Sequence, residues 1–263
     1  MPLILLSLSC GKSVSSPGDT VISVSAELPC SKAGVGAESA GVFPFVWQEG
    51  DRVSLNGMPS NPLLASFSGT SEAAFSFSGL SVSAPYRLVY PAGTGERVEI
   101  DGSVPPMYST GSSLDGIFAF RPLGCGVRLL LYGDIAVSSI SLTATGGEAV
   151  AGEFEVSFAD GTISAVSAMP SLSFDLAEPV ALSHLFPEPF YVFFAPGTFS
   201  EGLVLRVESS GGESRKWRFA TGTALEKGRL YLLPVSAFAS KELPDGFEIT
   251  LEGMTEETIT FVL

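Results

Sequence analysis

"VISVSAEL", Val21 to Leu28, alternates between apolar and polar side chains from Ile22 onward. Ile22, Val24, Ala26 and Leu28 fall on one side, with Ser23, Ser25 and Glu27 on the other. Successive side chains of a strand point to opposite faces, so a period of two marks a strand with one face in a core and one in water. The pattern recurs down the chain. Phe75 and Phe77 alternate with Ser76 and Ser78, and Phe154, Val156 and Phe158 with Glu153, Glu155 and Ser157. Leu172, Phe174 and Leu176 follow, then Leu203, Leu205 and Val207, then Phe247, Ile249 and Leu251. Gly146-Gly147, Asp160-Gly161, Gly211-Gly212 and Asp245-Gly246 separate these runs and suit tight turns with positive φ. No window of about 12 residues carries helical periodicity. The chain is therefore expected to be all-β, in two sandwiches divided near Ser167 to Pro170. Phe75, Phe77, Phe154, Val156 and Phe158 are expected to face the N-terminal core, with Ser76, Glu153 and Glu155 outside.

Composition supports this reading. Of 263 residues, 45% are apolar and 16% charged, which supplies a buried core. The 29 glycines and 18 prolines fit many turns between short strands. There are 28 acidic and 14 basic side chains, a net charge of −14, and the basic residues are scattered. Such a surface repels phosphate backbones, so no nucleic-acid partner is expected.

No apolar stretch reaches the roughly 18 residues of a membrane-spanning helix. "LILLSLSCGKS", Leu3 to Ser13, is an apolar run that stops at Ser9-Cys10 and turns polar. This is the arrangement in which a lipoprotein signal is cut and the new N-terminal cysteine takes a diacylglycerol. Residues 1–20 are accordingly read as a signal remnant and tether with Cys10 lipidated. The competing reading is a short strand that happens to end at a cysteine. Residues 21–168 then form the N-terminal sandwich and 169–263 the C-terminal one, with "AGVGAESAG", Ala33 to Gly41, as a flexible linker. Cys30 and Cys125 are the remaining cysteines, open to pairing as a disulfide outside the cytoplasm or to burial as separate thiols.

Catalytic patterns are lacking. The single histidine, His184, lies in "ALSHLFPEP", and no G-x-S-x-G elbow, phosphate loop or GxGxxG follows a strand. Carboxylate pairs such as Glu153 and Glu155 read as solvated charge. One histidine and few cysteines are poor ligands for zinc. The chain is read as non-catalytic, with no cofactor or metal expected. Trp47, Trp217, Tyr108 and Tyr191 are the candidates for an exposed sugar-binding platform, but each has apolar neighbours and is read first as packing.

Several segments in order resemble the fimbrillin family of type V pilus subunits and fimbrillin-like lipoproteins of Bacteroides-type bacteria. After Cys10 and "VISVSAEL" come "FVWQEGDRVSLNG", "AAFSFSGL" and "YRLVYPAG". "FAFRPLGCGVRLLLYG" and "VSSISLTATGGEAVAGEFEV" are similar to the family's central strands. "FYVFFAPGTFSEGLVLRVESSGGESRKWRF" and "LEKGRLYLLPV" are similar to its C-terminal part.

The resemblance implies two transthyretin-like β-sandwiches in tandem and a structural role at the cell surface. The subunit would be held on the outer membrane through its lipid and would join other fimbrial subunits as an anchor, tip or minor component, supporting adhesion to host or bacterial surfaces. Assembly in the family would proceed by proteolytic removal of the first strand and its replacement by a neighbour's strand. Lys32 is the only basic residue between Lys12 and Arg52, and so the processing candidate. A protease that requires arginine finds none there. "ETITFVL", Glu257 to Leu263, reads as a docked edge strand before a donor strand. A surface module that binds glycans or host proteins without polymerising is the alternative.

Overall fold

A computed structural model describes residues 19–26, 45–238 and 248–251. Within these the chain is all-β, broken by one 3₁₀ turn at Ala65–Phe67. The early strands are β1 (Asp19–Ala26), β2 (Ser54–Leu55), β3 (Met58–Pro59), β4 (Glu72–Ser78), β5 (Tyr86–Tyr90), β6 (Arg97–Ile100), β7 (Met107–Gly111) and β8 (Phe118–Pro122). The middle strands are β9 (Cys125–Gly133), β10 (Ala136–Ala144), β11 (Ala151–Ser157), β12 (Thr162–Met169), β13 (Ser171–Ala181) and β14 (Glu188–Phe194). The last are β15 (Gly197–Phe199), β16 (Leu203–Ser209), β17 (Ser214–Phe219), β18 (Thr223–Leu225), β19 (Leu230–Leu232), β20 (Ser236–Phe238) and β21 (Glu248–Leu251).

One sheet runs β3-β2-β5-β7-β8-β1-β4, and a second runs β13-β10-β16-β17-β21. β12-β11-β6 form a third, β14-β9-β19 a fourth to which β20 adds, and β15-β18 a two-stranded ribbon. Pairing crosses the Ser167–Pro170 position, because β10 lies between β13 and β16, and β9 pairs with β14.

The alternation behaves as period two demands. In β4, Ala73, Phe75 and Phe77 are buried while Glu72 and Ser78 are exposed. In β16, Leu203, Leu205 and Val207 are buried, with partly exposed residues between them. Turn chemistry also follows: Gly147, Gly161 and Gly212 have φ of 84°, 67° and 91°, where a side chain on Cα would be strained. At the Asp160 turn, hydrogen bonds from the Ser157 hydroxyl and then from the Thr162 N–H and hydroxyl hold the carboxyl down to about 2. Asp245-Gly246, Phe247 and the Glu257–Leu263 segment lie outside the described residues.

The core is divided into three clusters. One surrounds Trp217 and draws on β9, β10, β14, β16 and β17. The second surrounds Trp47, with Ile22, Val24, Phe45, Phe75, Phe77, Tyr90 and Phe120. Phe154 and Val156 do not join this N-terminal cluster as the alternation suggested. They are buried in the third, with Val89, Val98, Ile100, Tyr108, Leu123 and Ala195, and Phe158 packs against it. The reason is pairing: β11 hydrogen-bonds to β6 and β12, in a sheet separate from β4. Glu155 is exposed, and Glu153 pairs with Arg97 at 2.8 Å.

Candidate interaction site around the first strand

β1 sits inside the seven-stranded sheet, between two partners of opposite sense. It runs antiparallel to β4, with Ile22 opposite Phe75 and Val24 opposite Ala73. It runs parallel to β8, with Val24 opposite Phe118 and Ala26 opposite Phe120. Ile22 and Val24 are fully buried in the Trp47 cluster, whereas Val21 and Ser23 face out. β1 is thus remote in sequence from β8 yet completes the ladder on both sides of itself.

The floor beneath β1 is aromatic. Trp47 meets Phe45, Phe75, Tyr90 and Phe120 edge-on at ring-centre distances of 4.8, 5.1, 5.1 and 5.7 Å. This is the favoured arrangement for ring quadrupoles. The Trp47 indole N–H donates to the Ser71 carbonyl at 3.2 Å, leaving no buried donor idle there. Asp51 closes the turn after Trp47: it accepts from the Gln48 N–H at 2.8 Å and from the Tyr90 hydroxyl at 3.0 Å. Burial raises the Asp51 carboxyl despite these two hydrogen bonds. Burial, reinforced by the Asp51 charge, pushes the Tyr90 hydroxyl well up, so it stays a donor.

Beside β1 is a groove of about 580 Å³, lined in part by Ser23, Val24, Phe67, Glu72, Ala74 and Ile117. Ile117 is 63% exposed there. β1 itself is the extended segment that lies over the apolar floor, with backbone partners in β4 on one side and β8 on the other. Among the described residues that line the groove Glu72 is the one carboxylate, with no histidine or cysteine beside it.

Of the residues singled out in the sequence, Cys10, Cys30 and Lys32 lie outside the described residues. His184 is exposed on the loop between β13 and β14. Trp47, Trp217, Tyr108 and Tyr191 are all buried, so none forms a surface platform. Among the described residues no three His, Cys, Asp or Glu side chains are grouped as metal ligands. No described helix is long and apolar enough to cross a membrane.

Cys125 is a free thiol in the first residue of β9, 2% exposed, with its sulfur 3.6 Å from the Phe194 carbonyl. Burial pushes the thiol up, away from the reactive thiolate. Iodoacetamide is therefore expected to leave Cys125 unmodified in the native chain and to alkylate it once urea unfolds the protein, as read by peptide mass. Label at Cys125 in the native state would contradict this. So would a requirement for reductant before labelling in urea, which would reveal a bond to another cysteine.

No protein-family model matches this chain, and a comparison with curated proteins gives no match. Solved structures give matches. A candidate cell adhesion protein from Bacteroides ovatus aligns over 84% of this chain and 93% of its own, at 13% identity and a TM-score of 0.49. One from Bacteroides fragilis aligns over 82% and 91%, at 11% identity and a TM-score of 0.46. The tip fimbrial protein Mfa3 from Porphyromonas gingivalis, with a C-terminal truncation, aligns over 86% and 96%, at 10% identity and a TM-score of 0.36. The solved structures that align thus carry the names of candidate cell adhesion and fimbrial proteins from Bacteroides and Porphyromonas.

Proposed function

We propose that this chain is a non-catalytic, fimbrillin-like subunit of the cell surface that joins other fimbrial subunits by β-strand complementation and supports adhesion. The observation that carries this reading is the position of β1. Removing it would uncover the site of Ile22 and Val24, open the edge of β8, and leave β4, which pairs only with β1 among the described strands, without a partner across the vacated position. A strand from a neighbour entering that position would recover main-chain hydrogen bonds on both sides and place alternate side chains in the Trp47 cluster. The ordered series of family-like segments from Cys10 onward supports the same reading.

In this reading Cys10 carries the lipid that holds the protein on the outer membrane, and the clusters around Trp47 and Trp217 correspond to two tandem sandwiches. The lack of an arginine between Lys12 and Arg52 favours an anchor, tip or minor component over a shaft subunit. The alternative of a surface module with an exposed aromatic platform loses its four candidates to burial.

The test is a chain that begins at Ala33, offered a synthetic peptide of Asp19 to Leu28. The shortened chain is expected to bind the peptide at one to one, to melt at a higher temperature with it, and to ignore a scrambled peptide. A shortened chain as stable as the full one and indifferent to the peptide would overturn the strand-exchange reading.

A further inference from the structure

A second groove is lined from both of the larger core clusters. It has a volume of about 590 Å³ and an apolar lining that includes Val104, Ile140, Phe174, Leu176, Val180 and Phe190. Val104 packs against the Trp47 cluster, while the other five belong to the Trp217 cluster or pack on it. Small-molecule sites are concave and mostly apolar, often lie between structural units, and measure roughly 300–1,000 Å³. This groove shares no lining residue with the one beside β1, and its reading does not depend on the fimbrial one.

One wall of the groove is a bulge in β13. Val180 pairs with Val137 and Asp175 with Ser139, so Leu176, Ala177, Glu178 and Pro179 stand opposite Ser138 alone. The surplus residues leave the ladder, and such a bulge re-aims the side chains it carries. The Ser138 hydroxyl donates away from them, to the Glu208 carbonyl at 3.3 Å. The other wall is the segment that carries Ser103 and Val104. Just before them, Gly102 has φ +97°, and a Cβ there would lie 2.8 Å from the Leu172 side chain and 2.9 Å from Phe174. Glycine permits both the conformation and the close approach. The Gly102 carbonyl accepts from the Phe193 N–H at 3.0 Å, and the Asp101 carboxylate accepts from the Ser103 N–H and hydroxyl at 2.8 and 2.7 Å. This wall is fixed before any ligand arrives.

We propose that this groove binds a small organic cation, an aromatic or aliphatic body that ends in an ammonium group. The two walls hold the volume within the small-molecule range. The lining takes the apolar body, with Phe174, Phe190 and Tyr191 supplying aromatic surface. Charge selects the head group. Asp175 and Glu178 also line the groove, both are exposed, and neither has an ion pair among the described residues. No lysine, arginine or histidine is part of the lining. Arg128, on the adjacent strand β9, lies 6.0 Å from the centre of the Tyr191 ring and is not a lining residue. The net charge of −14 acts in the same direction, drawing cations to the groove and repelling carboxylates and phosphates.

Titration of the full chain with phenylbutylamine, phenylbutanol and phenylbutyrate tests this, because the three share one apolar body and differ in charge. Calorimetry is expected to show the amine binding at one to one, about threefold to tenfold tighter than the alcohol, with the carboxylate weakest. Added salt should narrow the gap between amine and alcohol. Hydrogen exchange with the amine bound should show protection rising over residues 101–104 and 174–180. The double variant Asp175→Asn with Glu178→Gln is expected to melt as the parent does and to bind the amine no better than the alcohol. No binding of the amine, equal binding of all three, or tightest binding of the carboxylate would each overturn the proposal. So would protection confined to other parts of the chain, or a folded double variant that keeps the preference for the amine. Should the double variant fail to fold, the charge series and the exchange map on the unmodified chain decide the matter.

Discussion

Trp47→Ala is expected to lower stability by about 3–5 kcal/mol, the range for removing a fully buried large aromatic. The side chain is 0% exposed and touches four aromatic rings edge-on, so no neighbour can collapse into its space without surrendering its own packing. Each ring pair adds about 0.5–1.5 kcal/mol beyond the area it buries. The loss falls on the cluster that also holds Ile22 and Val24, so the first strand is expected to loosen with it. The chain has 2 tryptophans, and Trp217 sits in a different cluster, so its fluorescence reports separately in the variant. Urea unfolding followed by far-ultraviolet circular dichroism should show the early loss. A cost below about 1 kcal/mol would mean that the aromatic floor is not what holds the N-terminal sheet.

What the sequence revealed, and what it concealed, follow from the same geometry. Alternation exposed strands with one wet face, such as β4 and β16, because burial on one side imposes period two. It could not show β9 or β14 as cleanly. Phe190 to Phe194 are buried at every position, since both faces of that stretch are covered, and the run reads as uniformly apolar. Alternation also says nothing about partners. Phe154 and Phe75 carry the same pattern, yet one lies in a sheet with β6 and the other in a sheet with β1. The parallel pairing of β1 with β8 joins residues far apart in the chain, and no local signal marks it. The aromatic candidates were legible as packing, because each sat among apolar neighbours and each is buried.

Val24→Asp is expected to eject β1 from its sheet while leaving most of the molecule folded. Val24 is 1% exposed, and the carboxylate would face Phe75, Trp47 and their neighbours without a buried cation among the residues of that cluster. An uncompensated buried charge costs several kcal/mol, and the lost valine adds roughly 1.5–3 kcal/mol. Two routes relieve that cost. The group can take up a proton and stay as a buried acid, or the strand can leave. Leaving forfeits the ladders to β4 and β8 and the burial of Ile22, but returns the carboxylate and the backbone of the strand to water. The strand has only Ile22 and Val24 shown as deeply buried anchors, so the substitution removes half of its hold and opposes what is left. Departure is therefore favoured at neutral pH. Hydrogen exchange should show amide protection lost over residues 20–26 and along β4 and β8, with Trp217 fluorescence and exchange in β16 and β17 unchanged. Lowering the pH toward the carboxyl's own range should draw the strand back, because the neutral acid is far cheaper to bury. Collapse of both clusters together would show that β1 is integral to the fold and not a separable occupant of a slot. Retention of full protection at neutral pH would show that the site tolerates charge, and the case for exchange of this strand would fall with it.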